Sequence, residues 1–401
     1  MSDADAAFIG TLIDVRRLRP EPSGWSGEPT VFTYQVEERI KGALPERVEV
    51  ISPASTASCG LPASVGERVS LVLRRGGDGA WHAGLSDIWS AEFLRQGSLP
   101  LPQPTGRGQA RLVAGGSFGE ARTATLDGNG QVLAYGRGAG SVTSLSVCPG
   151  GRVAVELVSW RGRVLVATRR LPSLRLLAER EVAPAGRGEE VVCRTPSASD
   201  LLIVVTVSLS ESAESQLLRI SSVGTRTLER AQQLHMVVGG DKVFVSLAIG
   251  ELFVRDLASG TRRSLAPTAG SLAGMSVSPD ARFLAGFSGA QLTVVDLLRG
   301  TTKSRRRTGH FRETVWIGSR RLVAWSGSGR RGGSLEVFDQ SLRPLRSRVP
   351  WTPHVTAIAG QQAFGVDYAG ALLQVGETGD VTRRGQLFSP GISTLTVLPP
   401  A

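Results

Sequence analysis

At 401 residues, with 41% hydrophobic and 20% charged side chains, the chain has the balance of a folded globular protein and more length than one core usually serves. No stretch approaches the roughly 18 consecutive apolar residues of a membrane-spanning helix. Lys and Arg outnumber Asp and Glu by 46 to 35, but aromatics are only 5%, and basic charge without interleaved aromatics argues against a nucleic-acid surface.

The charge is unevenly spread. Residues 1–97 hold ten Lys/Arg against thirteen Asp/Glu, so the whole positive excess lies in the remainder. Lys41, Lys242 and Lys303 are the only lysines, and arginine supplies the rest. The opening "MSDADAAFIG" has neither the basic segment nor the long apolar segment of a secretory signal, so the chain as given carries no export address. With 49 glycines and 21 prolines, frequent turns and many short strands are expected.

Alternating apolar bursts come first: "AAFIGTLIDVRRL", "TVFTYQVEERIKG", "RVEVIS", "ERVSLVLRR" and "AWHAGLSDIW". Each is bounded by Gly, Pro or Ser clusters, which predicts five short strands. Five strands in under a hundred residues fit a small closed or partly closed antiparallel barrel that hides its own edges. The order "ADAAFIGTLIDV", then the hairpin "FTYQVEERIKGALPERVEV", then "SCGLPASVGERVSLVL" resembles the netrin-like module. That module is the OB-type barrel shared by tissue inhibitors of metalloproteinases and many bacterial proteins. The resemblance covers residues 4 to about 95.

It also frames Cys59. In the resembled module, the cysteine at this place pairs with one before the first strand or one ending the last. This chain starts at the first strand, and Ser86 stands about where the later partner would fall, so Cys59 is expected to be unpaired. Three accounts stand: a true start further upstream, a cytosolic protein that needs no bridge, or a small buried residue in a turn. The inhibitors chelate the protease zinc through the amine and carbonyl of an N-terminal cysteine. No such residue exists here, so that mechanism is not carried over. What the resemblance implies is a fold and a habit of occurring on secreted or cell-surface proteins.

"RQGSLPLPQPTGRGQ" reads as a stiff exposed linker. It places the domains at 1–97, a linker at 98–109, and a second domain at 110–401. There a strand, a polar turn and a second strand recur, starting near Val142, Glu189, Leu234, Leu272, Thr314 and Val355. In three units a third strand ends in aspartate, at Asp256, Asp296 and Asp339, spaced by 40 and 43 residues. That period matches the four-stranded blade of a β-propeller. Six units are explicit. A seventh forms if "STLTVLPP" joins the strands around "RTATLDGNGQVLAYG", so seven blades are favoured over six. The units resemble degenerate WD repeats, "SVSPDARFLA" followed by "VVDLLRG" most closely, with Gly309–His310 placed like a blade-opening dipeptide. The signature tryptophan is replaced by Arg255, Val295 and Phe338.

Chemistry-bearing residues are sparse. Cys148 and Cys193 occupy equivalent places in neighbouring units, and adjacent blades are expected to hold them too far apart to bridge, leaving two buried thiols. His82, His235, His310 and His354 show no metal-ligand spacing. "GRGAGS" and "GSGRRGGS" are glycine-rich, but neither precedes the Lys-Ser/Thr pair of a phosphate loop. Arg262, Arg263, Arg305, Arg306, Arg307, Arg383 and Arg384 are expected on the outermost strands. There they either guard the edge or form a basic girdle for an anionic surface polymer. The expectation is an all-β, non-enzymatic binding or scaffold protein without cofactor or metal, contacting a protein partner through its propeller. Two alternatives are a propeller lactonase or hydrolase, and a metalloprotease-inhibitor relative. The resemblance suggests an extracellular or cell-surface location, and a start at Met1 suggests a cytoplasmic one.

Overall fold

The computed structural model describes residues 4–398 apart from 19–28, 54–59, 62–63, 85–86, 89–90, 92–93, 96–100, 102, 107, 119, 210–211, 249, 266–269, 307–310, 328–332, 352, 360–361, 368–370, 377, 379 and 388–391. Cys59, Ser86, Arg307 and the Gly309–His310 dipeptide therefore lie outside the described residues. The protein is all-β, and no helix among the described residues is long and apolar enough to cross a membrane.

Five strands, β1 (Ala6–Arg17), β2 (Pro29–Lys41), β3 (Arg47–Pro53), β4 (Arg68–Arg75) and β5 (Trp81–His82), form a closed barrel in the order β1-β2-β3-β5-β4. The long β1 closes it by pairing β2 along one edge and β4 along the other. Register shifts at Ala7/Phe8, Ile9/Gly10 and Leu12/Asp14 let β1 bend around the core, because each extra residue adds local twist. β3 and β5 run parallel, and the last predicted strand shrinks to two residues plus a bridge between Leu71 and Ile88. Inside lie Phe8, Leu12, Phe32, Tyr34, Val48, Val50, Leu71 and Leu73, with Phe8 and Tyr34 edge to face at 5.5 Å. The alternation read from the sequence thus places one apolar face of every long strand inward.

The rest is a seven-bladed β-propeller, each blade a four-stranded antiparallel sheet. The first strands of blades 1 to 6 are Ser141–Val147, Arg187–Cys193, Leu234–Gly239, Ala273–Val277, Phe311–Ile317 and Pro353–Ala359. The last segment of the chain, Ile392–Val397, is the first strand of blade 7, and it pairs with Leu112–Phe118, the second. The ring is closed by strands from opposite ends of the propeller segment. Seven blades replace the six-bladed alternative because this pairing completes a sheet that neither end could make alone.

Apolar residues gather between blades, not within them. One cluster joins Val155, Leu157, Val164 and Val166 of blade 1 to Val191, Leu201, Ile203 and Val205 of blade 2. Another joins Phe283, Ala285, Leu292 and Val294 of blade 4 to Trp316, Leu322, Ala324 and Phe338 of blade 5. A blade has two apolar faces and covers neither alone, so radial stacking is what buries them.

The recurring aspartates hold the turn between third and fourth strands. Asp256 Oδ1 accepts the N–H groups of Ala258 and Ser259 at 3.0 and 2.8 Å, Asp296 Oδ1 those of Leu298 and Arg299 at 3.1 Å each, and Asp339 Oδ1 those of Ser341 and Arg343 at 2.8 and 2.9 Å. Asp127 does the same in blade 7 for Asn129 and Gln131, a match the repeat pattern did not disclose. These donors, Ser259 N–H foremost, hold the Asp256 carboxyl below its ordinary range.

Candidate functional site

The first strands of the blades converge on the propeller axis, where each presents an edge of backbone N–H and C=O groups to its neighbour. Side-chain oxygens from one blade satisfy the next. Ser144 and Ser146 Oγ of blade 1 accept Val191 and Cys193 N–H of blade 2 at 3.1 and 3.0 Å. Glu190 of blade 2 accepts Met236 N–H of blade 3, and Ser246 Oγ of blade 3 accepts Leu272 N–H at 2.7 Å. Ser393 Oγ donates to Val142 O across the closing seam. Short hydroxyls at these positions do for neighbouring blades what a ladder does within one.

This convergence corrects the expectation for Cys148 and Cys193. They form a disulfide, with Cα atoms 4.9 Å apart. The general spacing between blades is wider, but these two residues end adjacent first strands, where blades approach most closely and where Ser144 and Ser146 already tie them. That separation lies inside the 4.4–6.8 Å range a bridge tolerates.

Three titratable side chains stand on the first strands of blades 2 and 3. Desolvation pushes the Glu190 carboxyl up to about 8, offset in part by the Met236 N–H it accepts. Burial also raises Glu189, with Arg187 acting against the shift, and burial lowers His235. His235 Nε2 lies 3.1 Å from Gln233 Nε2. Among the described residues no three His, Cys, Asp or Glu side chains are grouped to hold a metal ion. His82 faces Asp78 at 3.2 Å in the barrel, far in sequence from these groups, and the His354 side chain lies outside the described residues.

The seam between blades 7 and 1 holds a feature that sequence reading missed. Arg122, Glu156 and Arg169 are 1%, 0% and 2% exposed. Glu156 accepts Arg122 Nε at 2.8 Å, and also Arg169 Nε and Thr123 Oγ1. The remaining guanidinium nitrogens each find an acceptor, in Glu179 and in the carbonyls of Ala139 at 2.7 Å, Leu174 at 3.0 Å and Arg137 at 2.7 Å. Two arginines and two glutamates leave the group neutral, and every charge is paired. The glycines of "GRGAGS" make room for it. A Cβ on Gly136 would lie 2.7 Å from Thr123 Oγ1, and one on Gly138 would lie 2.9 Å from Arg122 Cζ. The only sequence signal was charge at inward positions of otherwise buried strands.

At one end of the same seam lies a cleft of about 810 Å³. In blades 1 to 6 a connection joins the first strand to the second. In blade 7 those strands come from opposite ends of the segment, so no turn spans them, and the cleft opens there. Its walls are Gly108–Arg111 entering blade 7, Leu398 leaving it, Leu133 and Ala134 of its fourth strand, and two turns of blade 1, Gly150–Arg152 and Leu171–Ser173. Blade 1 lacks the aspartate-capped turn and carries Leu171, Pro172 and Ser173 instead, while Thr125 Oγ1 of blade 7 donates to Pro172 O at 3.1 Å. The volume lies in the range of small-molecule sites.

The predicted arginines do occupy fourth strands: Arg262 and Arg263 in blade 3, Arg305 and Arg306 in blade 4, Arg383 and Arg384 in blade 6. Several are engaged within the protein. Arg262 lies 3.9 Å over the Phe253 ring, pairs with Glu251 of its own blade and reaches Glu229 of blade 2 at 3.7 Å. Arg305 donates to Leu342 O of blade 5 at 3.1 Å, and Arg384 donates to Gln374. Arg263 and Arg306 are exposed. Part of the girdle clamps one blade to the next.

No protein-family profile and no curated protein matches the chain. Solved structures do resemble it in fold. A functionally unknown protein from Desulfotomaculum acetoxidans aligns with a TM-score of 0.53 at 9% identity, covering 73% of this chain and 100% of that one. The periplasmic gluconolactonase PpgL of Pseudomonas aeruginosa aligns with a TM-score of 0.55 at 13% identity, covering 72% of this chain and 99% of that one. Chaetomium thermophilum Sqt1, bound to the N-terminus of ribosomal protein L10, aligns more loosely, with a TM-score of 0.45 at 18% identity over 67% of this chain and 82% of that one. At these identities the likeness is one of fold, and the fold is that of a β-propeller.

Proposed function

We propose that this is a non-enzymatic binding protein whose propeller offers the cleft at the closing seam, carried beside a netrin-like, OB-type barrel. The observation that carries the reading is the cleft itself: about 810 Å³, partly apolar, and opened by the way the ring closes. The barrel assignment is supported by the strand order β1-β2-β3-β5-β4 with β1 pairing β4. The Cys148–Cys193 bridge supports an oxidising compartment, where such bonds persist. The exposed Arg263 and Arg306 leave room for a weak, salt-sensitive contact with an anionic polymer at the outer rim.

A second reading, a propeller lactone hydrolase, is favoured by one observation: Glu190 and His235, both with shifted pKa values, stand on adjacent first strands at the axis. The gluconolactonase in the same fold gives that reading its substrate class. Glucono-δ-lactone hydrolysis by the purified full-length chain, followed by proton release against a protein-free control, separates the two. The binding reading expects the control rate for the wild type, Glu190→Gln and His235→Ala alike. Turnover that disappears in Glu190→Gln makes the protein an enzyme.

A further inference from the structure

The cleft is not electrically neutral. Arg111 and Arg152 border it from adjacent blades, both exposed, and among the described residues no carboxylate lies within ion-pairing distance of either. Among the described residues none that lines the cleft is acidic. A few residues deeper in the same seam the chain behaves differently, matching Arg122 and Arg169 with Glu156 and Glu179. The two cleft arginines are thus a surplus at the mouth of a seam that is otherwise balanced. Around them Leu133, Leu171, Pro172 and Leu398 supply apolar wall, and Gln109 and Ser173 supply hydrogen-bonding groups.

From this juxtaposition we infer that the cleft binds a small soluble organic anion: one carboxylate, sulfonate or phosphate head held between Arg111 and Arg152, with a compact apolar body against the leucines and Pro172. Guanidinium forks suit planar or tetrahedral oxyanions, and apolar walls beside them lower the local dielectric and strengthen the pairing. The ligand touches blade 7 and blade 1 at once, so it bridges the seam by which the ring closes. Occupancy therefore stabilises the closed ring by mass action. This inference rests on the binding reading proposed above and specifies what is bound.

Two probes that differ by a single group test it. Anilinonaphthalene sulfonate carries an anionic head on an aromatic body, and N-phenyl-1-naphthylamine is the same body without the head. Fluorescence titrations use the full-length chain, the double variant Arg111→Gln/Arg152→Gln, and Ala134→Trp, which fills the cleft. The expected result is one saturable sulfonate site with at least about tenfold preference over the neutral probe, in the range of charge-assisted hydrogen bonds. The double variant loses that preference while keeping neutral-probe affinity, Ala134→Trp loses both, and the sulfonate raises the wild-type unfolding midpoint. Equal affinity for both probes, unaltered in the double variant but abolished by Ala134→Trp, overturns the anion assignment and leaves the cleft a binding site. Binding indifferent to Ala134→Trp, or no binding at all, overturns the cleft itself.

Discussion

Two seams of the same ring differ in what is buried beside their apolar core. Between blades 4 and 5, Trp316 is 1% exposed, stacks on Phe283 at 5.7 Å and donates its Nε1–H to Ser276 O at 3.2 Å, inside a cluster of Phe, Leu, Val and Ala. Between blades 7 and 1 an apolar cluster of Val113, Val142, Ala154, Val158 and Leu165 is joined by a buried group of guanidinium and carboxylate. The apolar seam gains from burial and tolerates local repacking. The charged seam has a directional requirement, since each donor must find its own acceptor. That requirement fixes how blades 7 and 1 stack, because a shifted stacking leaves buried charge unpaired. The lesson is that repeat symmetry in a propeller extends to the backbone and stops short of the contacts.

The comparison can be broken most sharply at Glu156. Glu156→Ala leaves the buried Arg169 without a carboxylate and Arg122 with Glu179 alone, and the denaturation midpoint should fall by the equivalent of about 5 kcal/mol, the upper end for a broken buried pair. Trp316→Ala removes a large apolar side chain and its neighbours relax in part, giving about 3–4 kcal/mol in the same measurement. A loss of under about 1 kcal/mol for Glu156→Ala would show that water enters the charged seam and that the two seams do not differ in kind. Third in size is the blade 1–2 bridge. Cys148 and Cys193 are 45 residues apart. Their replacement by serine should cost about 3 kcal/mol, mostly through the freed unfolded chain, and the loss should equal that of the wild type under reductant.

A pH series sharpens the contrast at the axis. The Glu190 carboxyl titrates near 8 in the folded protein and near its ordinary value of 4.5 when unfolded. As pH rises past about 4.5 the unfolded chain releases this proton first, so the associated stability, complete below that point, is lost progressively up to about pH 8. His235 acts in the opposite sense: its lowered value means that stability is lost as pH falls below about 6.5. Glu190→Gln keeps the volume and removes only the first slope. Relative to wild type its midpoint should rise between pH 5 and pH 9, by about 1–2 kcal/mol at the upper end, and coincide below pH 4.5. The smallest expected effect is Ser144→Ala, about 1 kcal/mol from one unmet Val191 N–H, read by faster hydrogen exchange at that amide.

Strand number and ring size were legible because they rest on periodicity. The aspartates at 256, 296 and 339 mark turns by a local mechanism, a carboxylate accepting N–H groups two to four residues on, so spacing alone exposes them. The closing strand was legible for a similar reason, since "STLTVLPP" alternates like a strand and had no partner nearby. The candidate site was not legible. Arg111 and Arg152 are 41 positions apart and look like any other arginines in an arginine-rich chain. Arg122, Glu156 and Arg169 meet only because blade 7 folds back against blade 1. Cys148 and Cys193 misled because a general spacing was applied at the one radius where it does not hold.

Closure by distant strands also sets a timetable. Ser393 and the Gly115 carbonyl it reaches are separated by 278 residues. At about 5–20 residues per second of synthesis, strand Leu112–Phe118 waits roughly a quarter of a minute to a minute for its partner. Throughout that interval blade 7 is an unfinished sheet with an open edge. The nascent propeller is thus longest at risk at its own beginning, and its last strand decides whether everything made before it is kept.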